Sequence, residues 1–487
     1  MSILSEKLNE YLYSKKMTAY QLAQSCPFEN ATLYQYLSGK RPLKKKEHLN
    51  TIMSLLKLTP EEIEDVMCAY EIQLIGIDLY SQRKQVKELV FSLQTIGEYS
   101  KAIHHDSSKK IEFHFAKDSQ VIYGELEVNR IAYAIIQYAY QTGSAINLFL
   151  PPQQEILLHG LIFLENDSFS AVQPQITHII CLESDNIKGC ILNLERMQQV
   201  LKYGIAVKSY RPLYFYGQSS EHFSSTNILP GLILTEQAAM QISSNGRQAI
   251  LHTQPQMSAL FKNLFTQIEF LCKPLMMDNI NFIRKLELEM QCAQETALKK
   301  SYKMSSDISS ILFWNEELLR TYINPNLLNY EQTITQYIQY LNKLYEVSSK
   351  GDTTILLKPS FVLEFIQTGI LTLKEYPQIF LRKPFSPSDR KGLLVSVLSA
   401  CKQGWYHIQF VEDSCFPLDY HWEFEARKNN GVLFQYFDKD IFYIFDFDEP
   451  GIVYAFYDYL ENLSKSNCVM SPEASETLLR QWIKKYL

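Results

Sequence analysis

Between Asn30 and Lys46 the chain sets amide, hydroxyl and small side chains beside a run of cations. Leu33 and Leu37, four residues apart, mark the buried side of a short helix and turn Asn30, Ala31, Tyr34 and Gln35 outward. Asn and Gln amides are the groups that pair bidentately with adenine in a major groove. Ser38-Gly39 ends the helix, with the glycine where a left-handed C-terminal cap is wanted. Five of the next seven residues are basic: Lys40, Arg41, Lys44, Lys45 and Lys46. Small and amide side chains on the free face of a helix, with cations at its end, suit a major groove and its flanking phosphates.

Other helices must hold that face in place. Leu4, Leu8 and Leu12 space a first helix over about Ile3–Lys15. Thr18 with Gln21 is a capping box that opens a second, packed through Leu22 and Ala23. After the basic run, Leu49, Ile52, Met53 and Leu56 point inward from a helix over His48–Leu56. Thr59-Pro60-Glu61-Glu62 supplies the cap, N1 proline and first-turn acids of a fifth.

Leu22-Ala23 followed by Thr32-Leu33-Tyr34-Gln35-Tyr36-Leu37-Ser38-Gly39-Lys40-Arg41 resembles the phage-repressor (Xre/Cro-like) helix-turn-helix family over residues 3–66. The resemblance implies a DNA-binding transcriptional regulator. It would make Asn30, Ala31, Tyr34 and Gln35 the base-edge residues. Thr18, Ser38, Lys40 and Arg41 would contact phosphates, and Lys44 extends that cationic set. Where the family has a turn glycine and a hydroxyl cap, this chain has Pro27 and Glu29. Proline fixes φ near −65°, so the turn must be rebuilt locally, and Glu29 repels phosphate.

At 487 residues, two or three domains are expected. The net charge is −6, yet residues 1–70 hold nine Lys/Arg against eight Asp/Glu, so the acid excess lies beyond them. An acidic body with a local basic patch fits a regulator better than a nucleic-acid coat protein. The nine cysteines are scattered without a C-x-x-C pair, which argues against disulfides or a zinc ribbon and fits a reducing cytoplasm. No apolar run reaches membrane-spanning length, and the N-terminus lacks a leader pattern.

The expected fold class is multidomain: an all-α N-terminal helix-turn-helix domain followed by a large mixed α/β and α-helical body. The expected divisions are a DNA-binding domain over 1–68 and a helical linker over 69–105. A mixed α/β module (106–254), a helical middle (255–347) and a C-terminal α/β module (355–487) follow. In the linker, Val86, Leu89, Val90 and Leu93 form an apolar stripe, either a dimer seam or a face packed on the body.

Ile111–Phe115, Val121–Glu127, Ile146–Leu150, Ile156–Leu164, Ile176–Leu182 and Gly189–Leu194 read as strands or buried runs, with a helix over Ile131–Tyr140. Met257–Cys272 and Gln332–Tyr345 read as helices, and the polar stretch 348–354 as a boundary. Beyond it, Ile355–Phe380 and Arg390–Cys401 suggest helices. Four strands (406–411, 420–427, 432–437, 441–447) and two helices (from Pro450 and Ser471) follow. Ile111–Tyr140 and Val432–Glu461 share five identities at an offset of 321, a weak sign of duplication.

Catalytic signatures are absent. No Walker loop, G-x-G-x-x-G or G-x-S-x-G follows a strand, which argues against an ATP-driven activator or an enzyme. His104-His105 with His114, or His178 with Cys181 and Cys190, lack recognised metal-ligand spacing. The acidic run Asp438…Glu449 lacks the EF-hand glycine and reads as a strand with one wet face. Cys181, Cys190 and Cys415 could sense redox state, although scattered cysteines are usually inert. No cofactor or metal is expected. The expectation is a cytoplasmic, sequence-specific regulator that binds double-stranded DNA as a homodimer, without membrane attachment. Its body would answer a small-molecule or peptide effector. A protein-interaction scaffold that docks through the same helices is the alternative.

Overall fold

A computed structural model describes residues 2–102, 118–151, 155–166, 173–184, 186–224, 227–277, 300–306, 308, 310–370, 380–381, 383–428, 430–438 and 441–487. The chain divides into two compact units, Met1–Gln85 and Val86–Leu487.

The first unit is helical: α1 (Ile3–Ser14), α2 (Ala19–Ser25), α3 (Asn30–Leu37), α4 (Lys46–Leu55) and α5 (Pro60–Ile75), then the start of α6 (Ile77–Ala102). Its core gathers Leu4, Leu8, Leu22, Leu33, Leu37, Leu49, Ile52 and Val66. Each buried aliphatic side chain contributes about 1.5–3 kcal/mol by leaving water. Thr18 and Thr59 both form complete capping boxes, as their spacing to Gln21 and Glu62 predicts.

The second unit is built on two mixed sheets. The first runs β1-β7-β6-β5-β2-β3-β4-β8: β1 (Gln120–Tyr123), β2 (Ile146–Phe149), β3 (Ile176–Glu183), β4 (Tyr210–Gly217), β5 (Gly231–Leu234), β6 (Ala239–Ile242), β7 (Gln248–His252) and β8 (Lys273–Pro274). The second runs β12-β11-β10-β13-β14-β15-β9: β9 (Met276–Met277), β10 (Lys300–Ser305), β11 (Asp352–Leu357), β12 (Tyr406–Phe410), β13 (Trp422–Arg427), β14 (Gly431–Asp438) and β15 (Ile441–Phe447).

These two sheets repeat one topology. β2, β3 and β4 are parallel neighbours, β5, β6 and β7 continue antiparallel from β2, and β1 pairs antiparallel with β7. β10, β11 and β12 are likewise parallel, β13, β14 and β15 continue antiparallel from β10, and β9 pairs antiparallel with β15. Helices make the parallel crossovers, as the geometry requires. They are α8 (Glu155–Asn166) and α9 (Asn186–Ala206) in the first module. In the second they are α12 (Glu316–Tyr322) with α13 (Tyr330–Ser348), then α14 (Pro359–Thr368) with α15 (Pro387–Gln403). A further helix follows the run of antiparallel strands in each module: α11 (Pro255–Glu269) after β7, with the short α10 (Ser219–His222) lying earlier between β4 and β5, and α16 (Pro450–Ser464) after β15. α7 (Glu125–Thr142) follows β1, and α17 (Pro472–Tyr486) closes the chain.

The largest core spans both modules. Leu194, Met197 and Leu201 of α9 meet Phe456 and Leu460 of α16, and Trp422, Phe434 and Phe445 lie beneath. Val86, Leu89, Val90 and Leu93 are fully buried in this same core, and Trp422 Nε1 donates to the Leu93 carbonyl at 3.0 Å.

The expected fold class is corrected. An all-α helix-turn-helix domain followed by a large mixed α/β and α-helical body does not describe this chain, which is mixed α/β on two multi-stranded sheets with a helical N-terminus. The reason is visible in the segment read as a helical middle. It contains β10, the strand at which the second sheet turns from parallel to antiparallel. Its sequence, KSYKMS, is too polar to read as a central strand, but partners absorb the polarity. Ser301 bonds Thr353, Lys303 pairs with Glu423 at 3.1 Å, and Ser305 donates to Glu423. Ile156–Leu164 and Gly189–Leu194, read as strand-type, lie inside α8 and α9. The polar stretch at 348–354 leads from α13 into β11, which lies beside β10. The expected strand over Ile111–Phe115 lies outside the described residues.

Candidate nucleic-acid interface

α3 is amphipathic over only eight residues. Leu33, Tyr36 and Leu37 are buried, whereas Asn30, Ala31, Tyr34 and Gln35 are exposed, Tyr34 at 43%. All nine sequence-predicted residues, with Thr18, Ser38, Lys40, Arg41 and Lys44 completing the set, are solvent-exposed.

The turn before α3 uses no glycine conformation. Cys26 and Glu29 are extended (φ −77°, ψ 139° and φ −54°, ψ 130°), so the chain reverses around Pro27 without a positive φ. Phe28 anchors it from below. Its ring stacks on His48 at 4.1 Å, and the Tyr36 hydroxyl lies 3.2 Å from His48 Nδ1. Glu29 stands at the N-cap of α3 without a side-chain cap bond.

The other end of α3 is held by backbone contacts. Gly39 adopts φ +71°, Arg41 N–H reaches the Gln35 carbonyl at 3.2 Å, and Asn9 Nδ2 donates to the Leu37 carbonyl at 2.8 Å. The basic loop is then pinned through its carbonyls. Gln73 Nε2 donates to Leu43 O at 2.9 Å and the Tyr70 hydroxyl donates to Lys44 O at 2.8 Å, while Leu43 is buried. The backbone is thus fixed and the cationic side chains point into solvent. Among the described residues, no carboxylate pairs with Lys40, Arg41, Lys44, Lys45 or Lys46.

Carboxylates of this unit are engaged on α5 instead. Lys15 lies 2.6 Å from Glu62 and, with the Thr59 backbone, holds that carboxyl below its ordinary range. The Tyr11 hydroxyl and then Lys7 do the same for Asp65. Lys45, the N-cap of α4, and Lys46, its first residue, are exposed beside the predicted set. They belong to the same basic run but were not among the predicted contacts. Thr18 accepts from Gln21 N–H, so its hydroxyl serves the capping box first.

The remaining candidate groups have structural work. Burial pushes the Cys181 thiol up to about 11 and the Cys190 thiol up to about 12, away from the thiolate that redox chemistry needs. Asp448 accepts from the Tyr214 hydroxyl at 2.5 Å, Asp446 lies 3.4 Å from Arg427, and Glu449 caps α16. Among the described residues, no three His, Cys, Asp or Glu gather as metal ligands; His104, His105 and His114 lie outside them. No described helix is long and apolar enough to cross a membrane.

No family model matches the chain, and no curated protein matches it by sequence. Among solved structures it is weakly similar to TrmBL2, an archaeal chromatin protein whose structure shows a novel mode of DNA binding. The identity is 10%, covering 53% of this chain and 88% of that one, with a TM-score of 0.21. It is also weakly similar to phosphatidylserine synthase of Haemophilus influenzae Rd KW20. There the identity is 8%, covering 75% of this chain and 93% of that one, with a TM-score of 0.23. Superpositions this loose carry no inference about fold, binding or catalysis, and the resemblance to Xre/Cro-like regulators rests on the motif itself.

Proposed function

We propose that the chain is a sequence-specific DNA-binding transcriptional regulator of the Xre/Cro-like kind. α3 would enter the major groove, and the Lys40–Lys46 loop would lie along the backbone. The observation that supports this is the exposed Asn30–Ala31–Tyr34–Gln35 face beside five cations that no described carboxylate neutralises. Asn30 and Gln35 supply bidentate amides for adenine, and the cations supply the salt-dependent, sequence-independent share of binding. Eight helical residues reach few bases, so two copies on a two-fold operator would supply the specificity. The two-module body would bind an effector and shift half-site spacing by population shift.

Selection of bound duplexes from a random library, followed by footprinting, tests the reading. Enrichment of a two-fold symmetric sequence is expected. Recovery without any sequence preference would contradict it.

A further inference from the structure

The second module holds a polar cavity of about 490 Å³ where its three parallel strands begin, within the range of small-molecule sites. Adjacent strands supply its floor. Tyr302 pairs with Thr354 and Thr354 with His407, and Thr354 is buried with no hydrogen bond from its side chain to any described residue. At the mouth, Asp352 stands between two nitrogens, with Lys300 Nζ at 4.0 Å from Oδ2 and His407 Nε2 at 3.4 Å from Oδ1. Asp352 Oδ1 is shielded from water yet accepts no hydrogen bond. The opposite wall is the α16–α17 connection, which contributes Lys465, Ser466 and the α17 cap Ser471. Lys465 also pairs with Glu461 one turn back, at 3.2 Å, on the exposed side. Gln409 fixes this wall by donating to the carbonyls of Ser464 and Met470.

The first module shows the same place closed. Its corresponding row is Asn147–Thr177–Arg211, with Thr177 buried at the centre as Thr354 is. Arg211 there pairs with Glu269 at the end of α11, 2.7 Å away. In the second module, among the described residues, no ion pair within 4 Å joins His407, at the place of Arg211, to α16; the cavity stands in that position.

We infer that this cavity binds a small zwitterion of the amino-acid or dipeptide class. The ammonium would lie against the exposed part of the Asp352 carboxylate, away from the shielded Oδ1, and the carboxylate would lie against Lys465 and the Ser471 hydroxyl; the Ser466 hydroxyl already donates to the Leu463 carbonyl. A half-exposed carboxylate on one wall, its nearest nitrogens 3.4 and 4.0 Å away, facing a cation and a hydroxyl on the other, is what such a ligand complements. The inference deepens the effector-sensing part of the reading above, and its test needs no DNA.

The test uses the full chain in thermal-shift and calorimetric titrations. The probes are an equimolar mixture of the twenty amino acids, glycyl dipeptides, N-acetylated amino acids, inorganic phosphate and acetate. An upward shift of several degrees with amino acids or with dipeptides is expected, and whichever arm gives it identifies the source. N-acetylated forms, phosphate and acetate should give none. Asp352→Asn should weaken binding at least tenfold and Lys465→Met several-fold. Asp352 is half-exposed, so its variant should fold, which an unchanged unliganded melting temperature verifies. The inference is overturned if no amino acid or dipeptide shifts the melt, if phosphate or acetate shifts it equally, or if both variants bind like wild type. A bound amino acid together with failed sequence selection would sink the DNA reading and leave this one standing.

Discussion

The two modules of the body share a strand order and differ in how the start of the parallel strands is finished. In the first, Arg211 reaches Glu269 and the strand ends are latched to α11. In the second, Lys300, Asp352 and His407 surround open space beneath the α16–α17 connection. A repeated fold supplies the scaffold twice, and a few side chains at strand ends decide whether it is sealed or becomes a pocket. Function then resides in the site rather than in the fold.

That comparison can be broken at the level of the core first. Phe149 on β2 and Met304 on β10 are both buried at corresponding places in their modules, two residues beyond Asn147 and Tyr302. Each changed to Ala should cost about 2–5 kcal/mol of unfolding free energy in urea titrations. A near-neutral result at one of them would show that the two strands do not carry equivalent cores.

A pH experiment sharpens it next. His178, on β3, is fully buried with Nδ1 2.6 Å from the Tyr210 hydroxyl, and burial drives its pKa from 6.5 down to about 3. The folded state therefore keeps a neutral imidazole while the unfolded chain takes up a proton below 6.5. This contribution is fully present above pH 6.5 and is lost as pH falls from there toward 3. His178→Gln should flatten the dependence of stability on pH between 6.5 and 4; an unchanged slope would contradict the assignment. The smallest effect belongs to the latch. Arg211→Ala removes a partly exposed ion pair and should cost less than about 1 kcal/mol in the same unfolding assay. A loss of several kcal/mol would mean the latch holds the module together rather than merely closing it.

Much of the N-terminal unit was legible because its signals are local. Thr18 with Gln21, Thr59-Pro60 with Glu62, and Ser38-Gly39 each specify a helix end within four residues. Strands such as Ile176–Glu183, with every residue buried, declare themselves by composition. Short apolar runs do not: Leu158, Leu161, Ile162 and Leu164 are buried on a helix whose period is hidden among apolar neighbours. The repeat was not legible in the five identities at an offset of 321, which pair elements that do not correspond. Aligning Ile111–Tyr140 with Val432–Glu461 sets β1 and α7 over β15 and α16, whereas the pairings match β2–β7 with β10–β15. The cavity was illegible for a different reason, since its residues come from segments near 300, 352, 407 and 465 that meet only through sheet pairing and the α16–α17 turn. Site residues on α3 were readable as exposed, because burial of Leu33 and Leu37 dictates which side faces out.

The claim on which the account turns is that the free face of α3 reads bases. The direct measurement is fluorescence anisotropy of wild type and the Asn30→Ala/Gln35→Ala variant on the selected duplex and on a scrambled one, with folding verified by circular dichroism. The account predicts that the variant loses about 1–3 kcal/mol per amide contact on the selected duplex and keeps wild-type affinity for the scrambled one. Equal affinity of variant and wild type for the selected duplex would contradict it.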